Sequence, residues 1–137
     1  MQSVNECFHK VKTDCFKYID SQETKTTKFK NKAKMLRSYL IPLCFWIVDQ
    51  KKNKSKTLIL GLSGGQGIGK TTITSIISII LKKYFNKKTF VISIDDFYKT
   101  IKERYKLSKN IHPLLQTRGV PGTHDVKIIL NFFRKLN

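Results

Sequence analysis

The chain has 137 residues, 40% hydrophobic and 11% aromatic, with 27 basic residues against 9 acidic and a net charge of +18. That length suits one domain with a real core, burying roughly two-thirds of its unfolded surface, and the apolar content excludes compositional disorder. The charge favours polyanionic partners, but nucleic acid is not expected: the excess is mostly Lys, a poorer reader of base edges than Arg, without interleaved aromatics.

In chain order, Val4, Cys7, Phe8, Val11, Cys15, Tyr18 and Ile19 follow helical spacing, which predicts an amphipathic helix over 3–19. Residues 20–34 are polar and Lys-rich, and either a solvated helix or a linker fits them. Residues 35–50 read as a second helix, broken or started near Pro42. Its apolar stretch, 40–48, falls short of the roughly 20 residues a bilayer span needs, and no membrane partner is expected. The N-terminus lacks the apolar run of a signal peptide. Cys7, Cys15 and Cys44 form no CxxC pair and read as reduced thiols of a cytoplasmic protein.

A basic loop at 51–56 leads into the apolar run 57–62, of the buried-strand type. Gly-rich residues 63–69 follow, and 70–85 place Ile73, Ile76, Ile77, Ile80, Leu81 and Tyr84 at helical spacing. After a turn at 86–88 comes a second apolar run, 89–94, ending at Asp95. Strand, loop, helix and strand make a βαβ unit with a parallel sheet. The expected fold is therefore α/β, with an N-terminal helical segment (1–50) before a sheet-and-helix core (51–137). Beyond it, a short helix fits 100–107, a loop fits 119–124, and Asp125 can cap a last helix with Val126, Ile129, Leu130 and Phe133 on one stripe.

The residues of 64–71 satisfy G-x-x-x-x-G-K-[ST], a phosphate-binding loop. Glycines let successive N–H groups turn into one concavity, and the following helix adds its N-terminal dipole and free N–H groups. Lys70 brings a full charge to the β- and γ-phosphates, and the Thr71 hydroxyl can ligate Mg²⁺. Gly64, Gly65, Gln66, Gly67, Ile68, Gly69, Lys70, Thr71 and Thr72 are the candidate ATP-binding residues. Asp95 and Asp96 follow the second apolar run, at the end of a strand where ligands gather in open sheets. A carboxylate there can take a proton from a hydroxyl or hold Mg²⁺; capping the next turn is the alternative. Arg118 could grip a carboxylate or phosphate, and His124 with Asp125 could bind a small polyol; loop chemistry and a helix cap are the alternatives.

Residues 93–98 (SIDDFY), taken with the phosphate loop and 118–125 (RGVPGTHD), resemble the D-glycerate 3-kinase family. That family lies in the wider phosphoribulokinase, uridine kinase and pantothenate kinase group. Residues 39–47 also resemble the helix before its phosphate loop, so the likeness covers about 35–130. The resemblance implies a P-loop kinase fold and transfer of phosphate from ATP, with Mg²⁺, to a small-molecule hydroxyl. It casts Lys70 and Asp95 as catalytic, Thr71 and Asp95 as metal ligands, and Asp96, Tyr98, Arg118, His124 and Asp125 as acceptor contacts. The acceptor would be a glycerate-like hydroxy acid, or another polyol as in the uridine kinase and phosphoribulokinase relatives. The family's later elements, an acidic-Gly-Trp run, a Gly-Asp-Arg run and an Arg-bearing lid, do not occur in this sequence. The expectation is thus an N-terminal half: a truncated, non-catalytic fragment or a chain whose sheet a partner completes.

Overall fold

The structure is a computed structural model that describes residues 3–26, 28–52 and 54–136. The chain divides into two compact units, Met1–Val91 and Ile92–Asn137. The division does not fall at the 50/51 boundary expected from composition, because the helix after the phosphate loop packs onto the N-terminal helices.

In the first unit, helix α1 (Val4–Ser21) starts at Ser3, whose hydroxyl accepts from the Glu6 N–H at 3.1 Å. It buries Cys7, Phe8, Val11, Cys15 and Ile19, as the spacing predicts. Residues 22–26 and 28–31 are polar and held by charge: Lys32 pairs with Asp20 and, at 2.6 Å, with Glu23, while Lys28 pairs with Glu23 at 3.0 Å. The bonds from Lys32 and Lys28 hold the Glu23 carboxyl down to about 2.

The second predicted helix is realised as α2 (Lys32–Met35), a π-helical turn (Leu36–Leu40) and α3 (Ile41–Lys52). The Ile41 N–H donates to the Leu36 carbonyl, five residues back. Pro42 explains the widening: it has no N–H, and its ring would strike the carbonyl four residues earlier in a regular α-helix. Helix α4 (Lys70–Lys83) lies against α1 and α3, with Ile76 and Ile80 fully buried. Its β-branched residues are poor helix formers. The buried stripe compensates, each Ile being worth about 1.5–3 kcal/mol when fully removed from water.

The expected parallel sheet is not formed among the described residues, which contain no strand. The apolar segments 57–62 and 89–94 are present without a ladder, and Ile59, Leu60, Leu62, Phe90, Val91, Ile92 and Ile94 are exposed. Apolar runs become strands only when their N–H and C=O groups find a neighbouring strand, and among the described residues neither run has one. The only ladder-like contact among the described residues is one antiparallel bridge, Tyr98 with His124.

The second unit comprises a 3-10 turn (Ile94–Phe97), helix α5 (Ile101–Asn110), a second 3-10 turn (Pro113–Gln116) and helix α6 (Val126–Lys135). Thr100 and Glu103 form a reciprocal cap at the start of α5. Asp125 caps α6 by accepting the Ile128 N–H at 3.1 Å. The α6 stripe packs differently from the prediction: Val126 and Leu130 are exposed, and contact runs through Phe132, whose ring lies 5.8 Å from that of Phe97.

Candidate functional site

The phosphate loop belongs to the first unit. Gly67 (φ 78°) and Gly69 (φ 87°) are left-handed, a conformation that disfavours any side chain there. A Cβ at Gly64 would come within 3.2 Å of Ile68 Cγ2, so the loop closes tightly at that point as well. Gly69 stands at the entrance of α4, its carbonyl accepting the Ile73 N–H at 2.9 Å. The preceding N–H groups of the first turn have no partner within the helix, so a built anion cradle opens α4. Lys70 curls over this cradle, its ammonium donating to the Gly64 and Gly65 carbonyls at 2.8 Å each. Thr71 is exposed, while the Thr74 hydroxyl back-bonds to the carbonyls of Lys70 and Thr71. Gly64 to Thr72 thus form one contiguous loop and first helical turn.

The other candidates belong to the second unit. The structure separates the two aspartates. Asp96 Oδ2 accepts the Ser93 N–H at 2.9 Å, so this carboxylate caps the 3-10 turn. Asp95 is exposed beside Tyr98. Burial, and next the Asp95 charge, push the Tyr98 phenol above its ordinary pKa.

Tyr98 is the centre of the group. The His124 ring stacks on it at 4.0 Å with a 27° interplanar angle, and the Arg118 guanidinium lies 5.6 Å from the ring centroid. Backbone bonds set the stack: Asp125 N–H donates to the Phe97 carbonyl at 2.7 Å, and Lys99 N–H donates to the Thr123 carbonyl at 2.9 Å. His124 Nε2 is buried without a hydrogen-bond partner. Asp95, Tyr98, Arg118 and His124 are therefore brought together, whereas Asp96 and Asp125 are engaged as caps. Such a constellation can orient a small anionic or hydroxylated ligand, with an Arg fork for a carboxylate, an imidazole for a hydroxyl and a carboxylate to take a proton.

Two buried polar residues near this group were not anticipated. Thr123 is fully buried and donates its hydroxyl to the Val120 carbonyl at 2.6 Å, closing the 119–124 loop. Arg104 is also buried and bonds two backbone carbonyls. Its signal was scarcity: only Arg37, Arg104, Arg118 and Arg134 break the Lys monopoly. The Ser93-x-x-Asp96 and Thr100-x-x-Glu103 caps were readable as capping patterns.

Known proteins are similar to part of this chain. The chain is 43% identical over 88 residues to the "uncharacterized kinase mug58" of Schizosaccharomyces pombe, covering 63% of this chain and 31% of that protein. It is 34% identical over 113 residues to the chloroplastic D-glycerate 3-kinase of Arabidopsis thaliana, covering 74% and 25%. This chain is D-glycerate 3-kinase-like. The "probable ATP-dependent kinase TDA10" of Saccharomyces cerevisiae adds 42% identity over 76 residues, covering 53% and 26%. The D-glycerate 3-kinase-like chain spans a quarter to a third of the length of the curated relatives it matches. No protein-family model matches it, and neither does any solved structure. Among the described residues no helix is long and apolar enough to cross a membrane, and no group of three His, Cys, Asp or Glu residues could hold a metal.

Proposed function

We propose that the chain binds Mg-ATP on residues 64–72 and serves the transfer of the γ-phosphate to a hydroxyl of a small acceptor, D-glycerate or a similar hydroxy acid. The observation that carries this reading is the loop itself: two left-handed glycines, a Lys folded over the cradle, and α4 beginning at the next residue. The kinase relatives support it, and the acceptor rests on the D-glycerate 3-kinase among them.

In the proposed chemistry the acceptor oxygen forms a bond to the γ-phosphorus while the bond to the β-phosphate oxygen breaks, leaving ADP. The acceptor proton passes to the exposed Asp95 carboxylate. Lys70 turns from the loop carbonyls to the phosphates. Thr71 on the first unit and Asp95 on the second each carry a hard oxygen donor of the kind Mg²⁺ takes, and the ion, held by either, would neutralise phosphate charge. Arg118 grips the acceptor carboxylate, His124 Nε2 meets an acceptor hydroxyl, and Tyr98 backs both. Asp96 and Asp125 shape the site through the turns they cap.

The test is incubation with γ-labelled ATP and an acceptor panel headed by D-glycerate, with uridine, ribulose 5-phosphate and pantothenate beside it. Labelled phosphoglycerate supports the reading, and label in another acceptor reassigns the substrate. A second reading, nucleotide binding without transfer, is favoured by the exposed apolar residues of 57–62 and 89–94, a surface that isolated catalytic domains cover. It predicts saturable Mg-ATP binding and no labelled product.

A further inference from the structure

We infer that Arg104 is a positioning residue that holds the Arg118 segment to the Tyr98 segment. Three short stretches carry the group described above: 97–99 with Tyr98, 116–118 with Arg118, and 123–125 with His124. Backbone bonds already join the first and third, through Lys99 N–H to Thr123 and Asp125 N–H to Phe97. The second stretch meets the first through the Arg118–Tyr98 ring contact and, by hydrogen bonds, through one further side chain. Arg104 Nε donates to the Lys99 carbonyl at 3.1 Å, and its Nη1 donates to the Gln116 carbonyl.

The residue type follows from the geometry. Arg104 is 7% exposed, and a buried cation is costly unless its donors are used. Both acceptors are neutral carbonyls on separate segments, one directly after Tyr98 and one two residues before Arg118. The guanidinium holds several N–H donors in a rigid plane and can serve both at once. The ammonium of Lys presents its donors from a single atom and cannot span the pair as well. Arg104 itself begins no chemistry. It fixes how near the Arg118 fork stands to the Tyr98 ring, and so acts on the acceptor through Arg118; this consequence rests on the kinase reading.

Residue-resolved hydrogen exchange on the full chain tests the tie without reference to activity. In Arg104→Met the Thr117 amide, which donates to the Leu114 carbonyl beside the tie, should exchange at least about tenfold faster, given the usual worth of a charge-assisted hydrogen bond. The Ile73 amide in α4 should not change. Arg104→Lys should lie between wild type and Arg104→Met, and it decides by the same criterion if Arg104→Met does not fold. In the transfer assay, Arg104→Met should lower kcat/KM for the acceptor about tenfold at unchanged Mg-ATP affinity. The double variant with Arg118→Ala should be no worse than Arg118→Ala alone. Wild-type exchange at Thr117, or losses that multiply in the double variant, would overturn the inference. A wild-type chain inert with every acceptor would instead remove the kinase reading, and the exchange result would still decide for or against the tie.

Discussion

The two units are held together by different physics. In the first, the buried residues are Cys7, Phe8, Val11, Ile76, Ile80 and their apolar neighbours, and α4 rests on them with the phosphate loop at its start. In the second, the buried residues among those described are Arg104 and Thr123, both polar, and the Tyr98 group is fixed by backbone bonds, caps and one guanidinium. A hydrophobic core is non-directional and tolerant, and it suits a loop that grips phosphates common to many reactions. A hydrogen-bonded frame is directional, and it suits the proposed task of distinguishing one acceptor from another.

The sharpest way to break this comparison is chemical. Asp95→Asn should lower turnover by about 10²–10⁴-fold, the usual contribution of a positioned general base, while Mg-ATP affinity holds; a steady-state assay beside calorimetry checks both. Next, Ile80→Ala should destabilise the first unit by about 2–5 kcal/mol through a core cavity, read by chemical denaturation. No comparable loss should follow from Leu130→Ala, whose side chain is 50% exposed.

How much of this was legible in the sequence follows the same divide. Helical spacing found α1 and α4, because an apolar stripe is written along one segment. The loop at 64–71 was legible because each residue has a local duty: a left-handed turn, a helix start, a charge. The sheet was not realised, because a strand is defined by its neighbours and the pattern of 57–62 and 89–94 carries no information about whether they are present. The Asp95–Asp96 pair could not be resolved from type alone; the difference arises from Ser93, whose N–H takes Asp96 into a cap. Arg104 was marked in the sequence only by the scarcity of Arg, and its partners could not be read there, since they are carbonyls, which every residue has.

Smaller effects sharpen the contrast. Thr100→Ala should remove the reciprocal cap of α5 and cost about 1 kcal/mol, visible as faster exchange of the first α5 amides and absent from α1. The linker of the first unit should show a modest pH dependence. The Glu23 carboxyl sits at about 2 against an ordinary 4.5 because Lys32 and Lys28 bond it. Its folded pKa is depressed, so its contribution is present above about pH 4.5 and is lost as pH falls through about 2. Thermal melts across that window should show the loss, and Glu23→Gln should flatten it.

The phosphate loop is the feature on which the functional reading depends, and calorimetric titration of the full chain with Mg-ATP, beside Lys70→Ala, tests it most directly. Saturable binding at one site that Lys70→Ala weakens by tenfold or more is the predicted result, since the substitution removes a full charge from the phosphates. A folded wild-type chain that takes up no Mg-ATP, or a Lys70→Ala chain that binds it equally well, would contradict it.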